Sequence, residues 1–321
     1  MTFVADRGDV AHRLDLAVQR HLPSSFGLSR SRIRKLVDAG RVLVNGTPAR
    51  RVAQRVGAGD VVALDAAAAQ PPEPPGAEAL PLDVIYEDAD LLVVCKPAGM
   101  VAHPTAVLRS GTLLNALLGR AATTGDDWTP RLVQRLDRGT SGLLVVARSA
   151  AVHAALQRDR EALVKDYLAL VWGRPSPRHG VLDAPLGRDP LDRRRMMVRD
   201  GGSASRTTYR VLAHSTGDRR GLSLVRCRLD TGRTHQIRVH LASHGWPIVG
   251  DATYGQAPRR RLASVSLDRD ARAFDRQALH AWRLQLRLPS SGAVISLVAP
   301  LPDDLAAMLH AAGLGHVLTA L

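Results

Sequence analysis

"RLVQRLDRGTSGLLVVARS", residues 131–149, sets an ion-rich segment directly against an apolar one. Arg131, Arg135, Asp137 and Arg138 crowd a few positions, and Leu143 to Ala147 then read as a buried strand. One carboxylate among three guanidinium groups at the lip of a core has two readings. It is a surface salt bridge on a loop, or it is a catalytic acid.

Around this stretch strands and helices alternate without a repeating βαβ rhythm. "DVIYEDADLLVVCKPAG" (83–99) gives two short strands broken by an Asp-rich turn, and "AVHAALQRDREALV" (151–164) reads as helix. "KDYLALVWG" (165–173), "LSLVRCRLDTG" (222–232) and "ALHAWRLQLRLP" (278–289) read as strands. "THQIRVHLASHG" (234–245) reads as a helix capped by Thr234 and stopped by Gly245. The expected fold class is α+β: a large, mostly antiparallel mixed sheet flanked by helices. Upstream, "AAAAQPPEPPGAEALP" (66–81) has no periodicity and few bulky apolar residues. It divides the chain into a small domain over 1–65, a Pro/Ala-rich linker over 66–80 and a large domain over 81–321.

The small domain reads as α/β. Leu14, Val18 and Leu22 mark an amphipathic helix, and a second helix starts at Ser29, buries Ile33, Leu36 and Val37, and stops at Gly40. "RVLVNG" (41–46) alternates as a strand ending in an Asn45-Gly46 hairpin turn. The second helix carries Arg30, Arg34 and Lys35 on its other face, opposed only by Asp38. That favours a phosphate-tracking surface over a merely solvated one.

The composition points the same way. Lys+Arg number 44 against 30 Asp+Glu, a net charge of +14, and such an excess recruits polyanions, nucleic acid first. The basic residues are arginine except Lys35, Lys96 and Lys165, a bias that a GC-rich genome also produces. Cys95 and Cys227 are too few for a disulfide framework or a zinc site, and read as thiols in a reducing cytoplasm. No run approaches the roughly 20 apolar residues of a membrane span. P-loop, Gly-rich dinucleotide turn, HExxH and CxxC are not found, and His235 and His240 do not share a helical face. A reaction without cofactor or metal, in a cytoplasmic monomer, is the expectation.

Two resemblances sharpen this. "LSRSRIRKLVDAGRVLVNG…VGAGDVV" is similar to the S4 RNA-binding module over nearly the whole small domain, which implies Arg30, Arg32, Arg34 and Lys35 as RNA contacts. The large domain resembles the RluA-type pseudouridine synthases in five ordered blocks: "VVCKPAGMVAHP", "RLDRGTSGL", "KDYLALVWG", "TGRTHQIRVHLASHGWPIVGDATYG" and "RQALHAW". The resemblance implies the pseudouridine synthase fold, no cofactor, and isomerisation of uridine in structured RNA, large-subunit ribosomal RNA before transfer RNA. A non-catalytic RNA-binding or ribosome-assembly factor is the competing class. By resemblance Asp137 is the catalytic acid, Tyr167 the platform for a flipped uracil, and Arg238 the partner of Asp137. A buried carboxylate stays charged only beside such a cation or hydrogen-bond donors. Arg135 matches the residue that displaces the base, and Arg233, His235 and Gln236 fall among the RNA contacts. Gln134, Cys95 and Trp246 depart from the family pattern at His, Asn and His respectively.

Overall fold

Apolar residues at helical spacing build the first part of the fold. The computed structural model describes residues 1–22, 28–65, 67, 74–105, 107–124, 128–216, 221–256 and 262–318. The chain divides into two units, Met1–Pro74 and Pro75–Leu321. In the first, β1 (Thr2–Val4) precedes α1 (Leu14–His21) and α2 (Arg30–Asp38), and β2 (Val42–Val44), β3 (Thr47–Pro48) and β4 (Val61–Leu64) follow. The sheet order is β1-β4-β2-β3, antiparallel throughout. Leu14, Val18, Ile33, Leu36 and Val37 pack on Val42, Val44, Val62 and Leu64 in a separate core. Ser29 caps α2 as expected, its Oγ accepting from Arg32 N at 3.3 Å. Asn45 and Gly46 turn β2 into β3 at φ of 51° and 76°, the left-handed pair that a two-residue hairpin requires.

Residues 66 and 68–73, about half of the expected linker, lie outside the described residues. From Pro75 on, that segment belongs to the second unit and packs within it. Asn115 Nδ2 donates to Gly76 O at 2.8 Å, Glu78 N donates to Asn115 O at 3.0 Å, and the Glu78 carboxylate accepts from Gly111 N at 3.0 Å. The crossing runs over Gly119, where a Cβ would collide with Glu78 O. Low apolar content hid this, because backbone groups and one carboxylate hold the segment in place.

The second unit runs β5 (Asp83–Glu87), β6 (Leu91–Lys96), α3 (Leu113–Thr124), β7 (Arg131–Leu132), β8 (Ser141–Ala147), α4 (Ala150–Arg158) and β9 (Leu163–Trp172). Then come β10 (His179–Asp183), β11 (Leu186–Arg188), β12 (Met196–Val198), β13 (Arg206–His214), β14 (Leu222–Leu229), α5 (Gln236–Ser243) and α6 (Val265–Ala273). β15 (Leu279–Arg287), β16 (Val294–Val298), α7 (Asp303–Ala311) and α8 (Gly315–Leu318) complete it. Ten strands form one sheet in the order β10-β13-β14-β9-β15-β8-β6-β5, with β16 on β15 and β7 on β8. Among the described residues only the β15–β8 pair is parallel, so the α+β, mostly antiparallel expectation holds.

β8 explains its own sequence. All seven of its residues are buried: Leu144 and Val146 join Leu92 and Val94 on one side, while Leu143, Val145 and Ala147 join Leu91 and Val93 on the other. A strand covered on both faces reads as an unbroken apolar run. Gly142 opens it at φ 110°, where a Cβ would meet Ala281 O across the parallel pair.

Two boundaries differ from the sequence reading. The helix expected over 151–164 ends at Arg158, because Asp159 caps a 3-10 turn by accepting from Glu161 N and Ala162 N, and β9 begins at Leu163. Thr234 does not cap α5. His235 takes that position at φ 57°, with no side-chain cap, and the helix begins at Gln236. Its end is as expected: Gly245 lies at φ 79°, and Trp246 N donates to Leu241 O at 2.9 Å to close the last turn.

Candidate active site

Asp137 lies in the turn between β7 and β8, and that turn is tied down from several sides. Asp137 O accepts from Thr140 N at 3.0 Å. Gly99 N donates to Arg138 O at 2.8 Å and Arg138 Nε returns a bond to Gly99 O at 3.0 Å. Just ahead of β15, Gln277 Nε2 donates to Thr140 Oγ1 at 3.1 Å and Arg276 Nη1 donates to Gly139 O at 3.2 Å. A carboxylate on such a loop is held within a narrow range of positions. Arg138 therefore has a structural partner of its own, while Arg131 and Arg135 are exposed.

Lys96, at the end of β6, supports the same turn from inside. It is fully buried and donates from Nζ to Pro97 O (2.7 Å), Met100 O (2.9 Å) and Arg138 O (3.4 Å). Burial pulls its pKa from 10.5 down to about 8, with the charge of Asp137 opposing the shift. Above that pH a neutral amine has two N–H groups for three carbonyls. Turnover is expected to fall along an alkaline limb centred near pH 8, a limb that Lys96→Met loses along with part of the activity; a pH profile of kcat measures both. Unfolding does not supply this limb. Between about pH 8 and 10.5 the unfolded chain holds more protons at Lys96 than the folded one, so its contribution to stability rises with pH there.

The Asp137 carboxylate meets α5. Arg238 Nη1 donates to Asp137 Oδ2 at 2.8 Å, while Nε and Nη2 form a bidentate pair with Asp251 at 2.7 and 2.8 Å. Arg238 and Asp251 are sealed from solvent, whereas the Asp137 side chain keeps 25% of its surface exposed. Burial would lower the pKa of Arg238, but Asp251 first and Asp137 second outweigh it and raise it. Burial would likewise raise that of Asp251. The Arg238 guanidinium and the amides of Tyr254 and Thr253 hold it below the ordinary carboxylate value. One guanidinium thus joins a sealed anion to a facing one.

Tyr254 completes the assembly. Its ring lies 5.1 Å from the Arg238 guanidinium, and its hydroxyl accepts from Met196 N at 2.7 Å. The same hydroxyl lies 2.8 Å from His235 Nδ1, and the other ring nitrogen, Nε2, lies 3.9 Å from Asp137 Oδ2. Burial lowers the pKa of His235, with Asp137 opposing, so the ring is neutral near pH 7.

In front of Asp137 opens a cavity of about 580 Å³, lined by Gln134, Arg135, Lys165, Tyr167, Leu229 and Arg233 among others. This lies within the ~300–1,000 Å³ range of small-ligand pockets. Tyr167 reaches it from β9, where it pairs in register with Cys227 and Ala281 and is 6% exposed. Burial, and then the charge of Asp137, raise its phenol pKa, so it stays a neutral O–H donor. Gln134 Nε2 donates to Leu143 O at 3.2 Å, tethering the Asp137 turn to β8, while its buried Oε1 has no protein partner.

The structure brings most of the expected residues together: Asp137, Tyr167, Arg135 and Arg233 line the cavity, with Arg238 and His235 behind the carboxylate. Gln236 is different. It is 2% exposed, and its amide is spent on Thr231 Oγ1, Arg233 N, Arg206 O and Thr207 Oγ1, so it shapes the loop under Arg233 and offers no group to RNA. His240 is a packing histidine, bonded to Thr207 Oγ1 and Ala184 O. In the other unit, Arg30, Arg34 and Lys35 are exposed on α2, while Arg32 at the edge of the apolar stripe is half-buried. Sequence reasoning missed Asp251, Tyr254 and Lys96. The first two sit in "GDATYG" (250–255) and the third in "CKPAG" (95–99), segments whose pattern was visible but whose partners were not.

Comparison with known proteins agrees with this geometry. Residues 90–243 match the RNA pseudouridylate synthase family and residues 13–62 match the S4 domain. The chain is 41% identical to ribosomal large subunit pseudouridine synthase D of Nitrosomonas europaea, over 93% of this chain and 84% of that protein. It is 37% identical to the protein of the same name from Escherichia coli, over 97% and 93%. Among solved structures, human RNA pseudouridylate synthase domain containing 4 matches with TM-score 0.57 and 27% identity, over 72% of this chain and 93% of that one. Human RNA pseudouridylate synthase domain containing 1 matches with TM-score 0.55 and 30% identity, over 72% and 89%. A carboxylate shared with a buried arginine, at the mouth of a nucleotide-sized cavity and in a chain this similar to those relatives, identifies the protein as a member of the RNA pseudouridylate synthase family with an N-terminal S4 domain.

Proposed function

We propose that the protein isomerises uridine to pseudouridine in large-subunit ribosomal RNA, with Asp137 as the catalytic group. The observation that carries this is the Arg238–Asp137 contact of 2.8 Å, which sets the carboxylate against a buried guanidinium at the wall of the cavity. Pseudouridylation breaks the N1–C1′ bond of the uracil, turns the base and rejoins it through C5, with no change of redox state. An ionised carboxylate acts on the substrate, and a base later removes the C5 proton. Tyr167 supplies a stacking platform, a contact worth about 1–3 kcal/mol per base, and a neutral phenol. His235 stands beside the same carboxylate, its Nε2 3.9 Å from Asp137 Oδ2. The ribosomal substrate follows the names of the relatives, which act on the large subunit.

Arg135, exposed at the cavity lip, is assigned to displacing the target base. Extrusion costs a few kcal/mol, least in a loop, so Arg135→Ala is expected to lower kcat by about tenfold to a hundredfold while the dissociation constant for RNA changes far less. Equal losses in both would remove it from this role. The substrate itself is tested by incubating purified protein with transcripts of large-subunit, small-subunit and transfer RNA. Pseudouridine should form in the first; formation only in transfer RNA would redirect the proposal.

A further inference from the structure

The sheet of the second unit carries a cationic face that the site does not use. Register places Arg210 of β13 directly opposite Arg226 of β14, and Arg228 of β14 opposite Asp166 of β9, which in turn faces Arg283 of β15. These residues alternate with Tyr209, Cys227 and Tyr167, so they project from the side of the sheet away from the cavity. Arg228 is spent on Asp166 through two bonds of 2.9 Å. Among the described residues, Arg210, Arg226 and Arg283 have no carboxylate within ion-pair distance, and Arg210 and Arg283 are exposed. Two like charges directly opposite on neighbouring strands destabilise a sheet. The fold gains nothing from that pair, so its use must lie in what it binds.

We infer that Arg210, Arg226 and Arg283 form a second RNA-binding surface, one that grips the phosphate backbone of an RNA segment outside the target stem-loop. This rests on the reading of the protein as an RNA-modifying enzyme. With strands about 4.8 Å apart, the patch spans about 14 Å across the sheet, room for two or three phosphates. Guanidinium forks suit phosphate oxygens and carry no sequence preference of their own. A nucleotide seated against Tyr167 and a phosphate on Arg210 are separated by the whole sheet, so the target stem cannot make both contacts. A large folded RNA can.

The test compares the full-length chain with Arg210→Glu on two probes: the large-subunit RNA transcript and the isolated stem-loop around its modified uridine. The new carboxylate sits opposite Arg226, so the fold is kept or strengthened while two positive charges are cancelled. Binding to the long transcript should weaken about tenfold, and the slope of log affinity against log salt should flatten by about 1.5, the value for two lost phosphate contacts. Stem-loop kcat/KM should stay unchanged, and Arg226→Gln with Arg283→Gln should reproduce the pattern. Unchanged binding to the long transcript would overturn the inference, as would equal losses on both probes. So would unaltered RNA binding together with loss of an acidic ribosomal protein, which would make this a protein-binding face. A wild-type protein inactive on both probes would instead refute the isomerase reading.

Discussion

Asp137→Asn folds, binds RNA and makes no pseudouridine. The amide is isosteric with the carboxylate and still offers an oxygen to Arg238, while Asp251 keeps its bidentate hold on the guanidinium. The stability change should stay within about 1–2 kcal/mol, the scale of one altered charge-assisted hydrogen bond. Turnover should fall by roughly 10⁴-fold or more, as when a directly reacting group is removed. Thermal unfolding, RNA binding and pseudouridine formation are all read on the same preparation. Substantial turnover by this variant would dismiss Asp137 from its role.

Asp251→Asn is expected to damage both stability and activity, through Arg238. Asp251 is 2% exposed and supplies both oxygens to a guanidinium that is itself 6% exposed. Breaking one partner from a buried pair costs about 3–5 kcal/mol, because the remaining charge is left poorly compensated. Thermal denaturation should therefore move down by on the order of 10 °C for a unit of this size. Arg238 would also lose the anchor that aims its Nη1 at Asp137, and displacements of about 1 Å in such assemblies cost on the order of 10²-fold. A purely structural Asp251 would give a destabilised protein whose kcat, measured well below its melting temperature, equals that of the wild type. A positioning Asp251 lowers kcat at that temperature too.

Much of this architecture is legible in the sequence. β8 was readable because it is covered on both faces, and α2 because Ser29, its apolar stripe and Gly40 agree on one helix. Asp137, Tyr167 and Arg238 stand in blocks whose resemblance to one family is specific; in the structure Asp137 and Tyr167 line one cavity and Arg238 bonds Asp137 from behind. What stayed hidden depends on partners far apart in sequence. Asp251 stands in one of those blocks with nothing in its neighbours to mark it, and its partner Arg238 lies 13 residues away. Lys96 had no assigned role in the sequence reading, because its three acceptors are carbonyls, which carry no signature in a sequence. Gln236 erred the other way: a polar residue in a signature block suggested RNA, and its amide proved to be consumed inside the fold. Thr234 failed as a cap because His235 takes the cap position in a left-handed backbone, a conformation uncommon for any residue but glycine.

The opening carboxylate is thus not a surface salt bridge among Arg131, Arg135 and Arg138. Its partner is Arg238, 101 residues along the chain, and behind that lies a second carboxylate. The most direct test maps pseudouridine in ribosomal and transfer RNA from cells lacking the gene, restored with either the wild-type gene or Asp137→Asn. Loss of one or more pseudouridines in large-subunit ribosomal RNA, restored by the wild type and not by the variant, is the predicted result. An unchanged map, or restoration by Asp137→Asn, would contradict it and leave a protein that binds RNA without modifying it.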